Sequence, residues 1–401
     1  MKVPFSPPDI GEAEIAEVVD TLRSGWITTG KKTKQFEREL AQYCRAGRVA
    51  CLSSQTAAAE MTLRLLGVGP GDEVITSAYT YTATASVICH VGATPVLVDV
   101  AKDSLEMDYD TLEQAITERT KVIIPVDIAG VMCDYGRVLD IVQRKKKLFH
   151  PRNELQKAIG RVIVMADAAH SVGAVRDGKI SGEAADFTCF SFHAIKNLTT
   201  AEGGAAAWRS IDGVDDEEIY RQYMLLSLHG QSKDALKKTR PGDWEYDIIG
   251  TYYKCNMTDI QASLGLAQLH RYESILQRRH AIIERYHQRL DGCGLMLPKH
   301  AGEGFRSSGH LYIVRVPGAG EQERNEIIAR MGEREVACNV HYKPLPLLTA
   351  YKQMGFDIKD YPNAYDCYHN AVSLPLNTCL TDEQVDYVAE CLADILQDMR
   401  D

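Results

Sequence analysis

The chain has 401 residues, room for roughly two or three domains of about 150 residues, and can bury a core without disulfide or metal staples. Its 45 basic against 55 acidic residues leave a net charge of −10, which argues against a protein that coats nucleic acid or an anionic membrane. With 45% hydrophobic and 25% charged residues the composition is globular, and 11 cysteines without a C-x-x-C pair read as reduced thiols. The opening Met1-Lys2-Val3-Pro4-Phe5 lacks the apolar core of a secretion signal. No apolar run nears the roughly 18 residues of a membrane span, so a cytoplasmic location is expected.

Short β-branched runs alternate with helix-period stretches along the first two-thirds. The turn Leu52-Ser53-Ser54-Gln55-Thr56-Ala57 opens a predicted helix over 56–66. Predicted strands follow at Val74-Ile75, 94–98, 122–126, 162–166 and 187–190, with a helix over 109–117 between the second and third. Apolar, non-alternating strands separated by helices predict a mostly parallel sheet covered on both faces. Ligands of such sheets bind at the carboxyl ends of the strands. Residues 144–161 are strongly basic and read as a solvated crossover, while 231–249, with Lys237-Lys238, Pro241-Gly242 and Trp244, read as a long loop. Over 258–290, Leu264, Leu266, Leu269, Tyr272 and Leu276 recur near helical spacing. From His310 onward, short strands and helices predict a second, smaller domain. The expected architecture is α/β, with a large domain over 1–257 and a long helix plus a small α+β domain over 258–401.

Three segments carry chemistry. Val164-Met165-Ala166-Asp167-Ala168-Ala169-His170 is a strand ending in an acid, with an imidazole three residues on. Phe190-Ser191-Phe192-His193-Ala194-Ile195-Lys196 is a strand end followed by Ser, His and Lys, leading into Thr200-Ala201-Glu202-Gly203-Gly204. The third is the small-residue turn at 52–59. A lysine after a buried strand can form a Schiff base with an aldehyde cofactor, and an aspartate at a neighbouring strand end can keep a pyridine nitrogen protonated. A small-residue turn at a helix N-terminus offers N–H groups and a positive dipole to a phosphate. Together these are the parts of a site for pyridoxal 5′-phosphate (PLP).

In this order, and with Tyr252-Tyr253-Lys254-Cys255-Asn256-Met257-Thr258-Asp259 following, the segments resemble the DegT/StrS family of nucleotide-sugar aminotransferases, PLP enzymes of fold type I. The likeness runs from Ser24-Gly25-Trp26-Ile27-Thr28-Thr29-Gly30 through Asn339-Val340-His341-Tyr342-Lys343-Pro344 to Ser373-Leu374-Pro375-Leu376. The resemblance implies that Lys196 forms the Schiff base and shuttles the proton, and that Asp167 faces the pyridine nitrogen. His170 would contact the ring hydroxyl side, Ser191 and the turn at Thr56-Ala57 would hold the phosphate, and Tyr81 would stack on the ring. Asn256 would reach the phosphate of the other subunit, so a homodimer with shared sites is implied. The implied reaction moves an amino group from L-glutamate to a keto sugar linked to a nucleoside diphosphate.

Two positions depart from the family pattern. Gln55 stands where the family usually has Gly, which implies either backbone strain or a side chain that touches the ligand. Lys254-Cys255-Asn256 replaces the commoner N-x-R, and with the Phe192 to Asn197 stretch it resembles the branch acting on 4-keto sugars. Lys196 itself speaks against relatives that carry His there and act as dehydratases. A cyclitol aminotransferase, a sugar dehydratase and a non-catalytic PLP-binding regulator are the alternatives. His193 is expected to brace its turn, Cys189 to pack in its strand, and His341-Tyr342 are candidates for approach to the site. No His, Cys and Asp spacing suggests a metal, and no Gly-rich motif suggests a dinucleotide.

Overall fold

The structure is a computed structural model that describes residues 1–232 and 245–400. Lys237-Lys238, Pro241-Gly242 and Trp244, expected within a long loop, lie outside the described residues. Nine strands precede residue 210: β1 (Arg48–Leu52), β2 (Glu73–Ser77), β3 (Thr94–Val98), β4 (Thr120–Ile124), β5 (Ile163–Asp167), β6 (Val175–Arg176), β7 (Lys179–Ile180), β8 (Phe187–Ser191) and β9 (Gly204–Trp208). Seven of them form the central sheet in the order β1-β9-β8-β5-β4-β2-β3. The pairs from β8 through β5, β4 and β2 to β3 are all parallel, and β9 runs antiparallel to both β8 and β1. The expected strands are all present, with β4 beginning two residues earlier than its pattern.

The sheet is apolar on both faces because helices cover both. One face packs Phe36, Leu40, Phe190 and Phe192, and the other packs Leu63, Met165, Phe187 and Trp208. Burying a side chain of this size contributes about 1.5–3 kcal/mol, so each face supplies much of the domain's cohesion. Residues 144–161 form the crossover between β4 and β5, with a short helix Glu154–Ile159 capped by Asn153 and closed by Gly160 at positive φ.

The segment 258–290 is two helices, Asp259–His270 and Tyr272–Leu290, which meet at Arg271. Thr258 and Gln261 form a capping box at the start of the first. Asp259 binds back to the N–H groups of Gly30 at 2.7 Å and Thr33 at 2.9 Å, fixing the entry to helix Lys31–Cys44. The pair of helices serves two cores. Ala262, Leu266, Tyr272, Ile275 and Leu276 pack with the large sheet, whereas Ile282, Ile283, Tyr286 and Leu290 pack with a second, C-terminal core. After β10 (Ala301–Gly302) and β11 (Phe305–Arg306), this second core forms under β12 (Tyr312–Arg315) and β13 (Ala371–Leu374), an antiparallel pair. Helices Glu321–Glu333 and Asp382–Asp398 cover it, and Val3 joins from the N-terminus. β11 pairs with β6 in a separate four-stranded sheet, β10-β11-β6-β7, which joins the C-terminal part to the segment between β5 and β8. Among the described residues no helix is long and apolar enough to cross a membrane.

Candidate active site

Six of the seven strands of the central sheet bring their carboxyl ends to one edge, and a cavity of about 490 Å³ opens there. Thr56, Tyr81, Asp167, His170, Ser191 and Lys196, all expected from sequence, line it. Ala57 stands one position further into its helix, where its N–H is taken by the Ser54 hydroxyl at 3.0 Å. Asn256 lies away from the cavity of its own chain. It pairs with Leu52 at the end of β1, and its Nδ2 donates to Thr29 Oγ1 at 2.6 Å.

The helix Gln55–Leu65 points its N-terminus at this edge, with Ser54 as its cap. The first-turn N–H groups of Gln55 and Thr56 have no intrahelical acceptor, and the helix dipole adds positive potential. β9 begins directly against this turn: a side chain at Gly204 would collide with the backbone of Ser54 and Gln55. Gly204 is also paired with Leu52 and with Ser191, so three strand ends are held in one row. Gln55 carries no positive φ, and its backbone is ordinary helix. The strain that the missing glycine implied is therefore absent. Its side chain is 6% exposed and lines the cavity, and its Nε2 has no hydrogen-bond partner.

β5 ends at Asp167, which is 5% exposed. Its Oδ2 accepts from the Thr84 hydroxyl at 2.6 Å and its Oδ1 from the Ala169 N–H at 3.2 Å. Burial raises the carboxyl above its ordinary pKa, and these hydrogen bonds together with the charge of Lys196 oppose the rise. Lys196 follows β8 in a compact loop, closed by Phe192 N–H to Gly203 at 2.9 Å and by Lys196 N–H to His193 at 2.9 Å. Burial brings the lysine amine down to about 8, against the pull of Asp167 in the other direction. An amine of that pKa is neutral for a useful fraction of the time near pH 7, which an exposed lysine is not.

His170 is 7% exposed, and burial drives its pKa well below the ordinary imidazole value, with the Lys196 charge adding to the effect. His193 lines the cavity, and its ring lies 3.6 Å from Glu202. Cys189 is a buried strand thiol whose pKa burial pushes up to about 12. His341 and Tyr342 both line the cavity, and burial lowers His341 to about 4. Residues that sequence reasoning passed over also converge. Asp127, just past β4, lines the cavity and binds Ser171 at 2.6 Å and Tyr135 at 2.8 Å, and burial raises its carboxyl to about 7. The strand-end rule that singled out Asp167 would have found Asp127 as well. Thr84 and His310 carry no sequence signal of their own, since they act from a helix turn and from a distant segment.

The donor set fits PLP. An amine of lowered pKa, a buried carboxylate with two fixed donors, a helix N-terminus and the hydroxyls of Thr56 and Ser191 surround one cavity. Comparison with known proteins agrees with this geometry. Spr1654 from Streptococcus pneumoniae, described as a sugar aminotransferase and solved in PLP, PMP and apo forms, is 55% identical. In its PMP form it superposes with a TM-score of 0.96, over 100% of this chain and 99% of that one. The spore coat polysaccharide biosynthesis protein SpsC of Bacillus subtilis is 38% identical over 98% of this chain and 97% of its own. A UDP-4-amino-4-deoxy-L-arabinose–oxoglutarate aminotransferase of Shewanella sediminis is 35% identical over 98% of each chain. The family profile matches residues 8–393, and the chain belongs to the DegT/DnrJ/EryC1/StrS aminotransferase family.

Proposed function

We propose that this protein is a PLP-dependent aminotransferase that transfers the amino group of L-glutamate to a nucleoside-diphosphate-linked keto sugar, at the 4-position. The observation that carries the reading is the convergence of Lys196, Asp167 and the N-terminus of helix Gln55–Leu65 on one cavity, with the lysine amine lowered to about 8. Bound there, PLP supplies an aldehyde to condense with amines and a protonated pyridine ring that withdraws electrons. Lys196 Nζ is the amine that would hold that aldehyde, and as a neutral amine it is the base that would take the α-proton of glutamate and return a proton to the sugar carbon. Asp167 holds the proton on the ring nitrogen. Thr56, Ser191 and the turn at Thr56-Ala57 hold the phosphate. His170 would meet the ring hydroxyl side, and Tyr81, 59% exposed and lining the cavity, would stack on the ring.

Asn256 serves the phosphate of a second copy. Its position outside the cavity of its own chain supports this role, as do the exposed apolar side chains Ile248, Ile249, Tyr252 and Tyr253 beside it, a surface suited to burial in a homodimer. The name of the Shewanella relative, with its 4-amino sugar and oxoglutarate, supports the 4-position and the glutamate donor. The free thiols of all eleven cysteines support a reducing, cytoplasmic setting.

The test is to load the protein with PLP, add L-glutamate, and follow the visible absorbance band. Bleaching by glutamate, and its return on adding a nucleotide 4-keto sugar with an amino sugar detected by mass spectrometry, are the expected results. A band that glutamate leaves unchanged would overturn the reading.

A further inference from the structure

Gln55 carries a buried amide whose nitrogen has no hydrogen-bond partner among the described residues. It is the first residue of its helix, it lines the cavity beside Asp167 and Lys196, and its Nε2 is sealed from solvent without a hydrogen bond. Buried polar groups are nearly always paired, and one left unpaired lowers stability. The backbone gives no reason for glutamine here, because position 55 is ordinary helix and any good helix former would serve.

Asp167 lines the same cavity, and its carboxylate is the group whose ionised form this amide favours. Its Oδ2 is held by a short bond from Thr84, but its Oδ1 has only the 3.2 Å contact from Ala169, long for an N–H on a carboxylate. Gln55 stands close enough to favour the ionised carboxylate, yet short of a formed hydrogen bond. We propose that Gln55 is a positioning residue for the ring-facing carboxylate: its Nε2–H turns onto Asp167 and helps to keep that group ionised, with or without a ligand in the cavity. The inference rests on the reading of the site as a PLP aminotransferase.

Other groups act on Asp167 from every side. Lys196 across the cavity favours its charge, and Asp127 beyond β4 opposes it. The Tyr342 hydroxyl and the Cys189 thiol on β8 are held neutral by burial. The help from Lys196 fades whenever its amine is deprotonated, above about pH 8. A neutral amide donor gives its help at every pH, which is what a carboxylate beneath a working lysine needs.

Three variants test this. Gln55→Leu removes the donor at similar volume, Gln55→Glu replaces it with a second carboxyl, and Gln55→Asn keeps an amide one methylene shorter. The first readout uses cofactor-free protein: the infrared carboxyl band of Asp167, assigned by its loss in Asp167→Asn, is followed against pH. Protonation of Asp167 is expected to move up by about one pH unit, tenfold in proton affinity, in Gln55→Leu. It should move further in Gln55→Glu and partly return in Gln55→Asn. In the loaded enzyme, kcat should fall by about tenfold in Gln55→Leu while the KM for glutamate stays within about twofold. An Asp167 titration unchanged in the folded variants overturns the proposal. So does an unchanged titration accompanied by weakened binding of inorganic phosphate, which would assign the amide to the anion. Should Gln55→Leu fail to fold, the other two variants decide the matter. The cofactor-free titration reads the Gln55–Asp167 pair even if the protein proves not to transaminate, so the two failures are distinguishable.

Discussion

His170, three residues past β5, and Tyr342 in the C-terminal part meet across the cavity wall, with His170 Nε2 3.2 Å from the Tyr342 hydroxyl. Their rings lie nearly parallel, 6.0 Å apart. Behind them His310 packs on His170 at 4.2 Å, and its Nδ1 is 2.9 Å from Asn197 Oδ1, the neighbour of Lys196 in sequence. Asn197 Nδ2 already donates to Ser308 O at 2.8 Å, so its Oδ1 accepts and His310 carries its proton on Nδ1. Burial keeps both imidazoles neutral. A neutral chain of contacts therefore joins the C-terminal part to the loop that carries the lysine.

This contact predicts measurable coupling. Tyr342→Phe leaves the buried His170 Nε2 without its partner, which costs roughly 1–3 kcal/mol. In a double-mutant cycle with His170→Ala, read by urea unfolding of the cofactor-free protein, a coupling energy of about 0.5–3 kcal/mol is expected. Additive effects would show that the two residues are neighbours without a bond.

The lysine predicts a pH dependence of definite sign. Burial disfavours the ammonium form, so the neutral, nucleophilic amine of Lys196 appears at lower pH than in an exposed lysine. Trapping of cofactor-free protein with pyridoxal and borohydride should label the Lys196 peptide with a rate that rises through about pH 8. The same shift bears on stability: between about 8 and 10.5 the unfolded chain binds more protons at this lysine than the folded one, so stability rises with pH across that window. Lys196→Met should stabilise the cofactor-free protein below pH 8, and this advantage should shrink as pH approaches 10.5. A labelling midpoint near 10.5 would refute the shift.

Asp167→Asn removes the anion opposite the ring nitrogen and keeps the shape: its one amide oxygen can accept from the Ala169 N–H, while the Thr84 hydroxyl, which can also accept, turns to receive the amide N–H. The fold should persist, cofactor should bind, and kcat should fall by orders of magnitude because an unprotonated ring withdraws electrons poorly. Near wild-type turnover in the Asn variant would remove Asp167 from this role.

The sequence made the strand ends legible because the strands are short, apolar and rich in β-branched residues, and because Asp167 and Ser191 close β5 and β8, with Lys196 five positions past β8. It hid β9, whose Gly204-Ala205-Ala206-Ala207-Trp208 has the composition of a helix and becomes a strand only by pairing between β8 and β1. It also hid what depends on distant segments, such as the Thr84 hydroxyl on Asp167 and the His310 ring on His170. A division of the chain at 257/258 follows the start of the helical pattern over 258–290. The apolar sides of Ala262, Leu266 and Leu276 face the large core, so we propose that the domains part inside helix Tyr272–Leu290, between Leu276 and Ile282.

The shared active site gives the most demanding prediction. Lys196→Ala should abolish turnover while leaving PLP bound, because Asp167, Ser191 and Thr56 are untouched. Asn256→Ala should be clearly impaired if its amide serves the partner's phosphate, since one hydrogen bond to a charged group contributes roughly 1.5–3 kcal/mol. Within its own chain the same substitution loses the bonds from Nδ2 to Thr29 Oγ1 and to the Met257 carbonyl, and the one that Oδ1 accepts from Lys254 Nζ. Mixed and allowed to exchange subunits, the two defective proteins form heterodimers in which one site carries both defects and the other carries neither. Activity should then recover toward one intact site per heterodimer, and cofactor should stabilise the dimer by mass action. Sites built from a single chain would each keep one defect in the heterodimer, and no activity would return. Verified exchange without recovery, or a fully active monomer, would place the whole site on one chain.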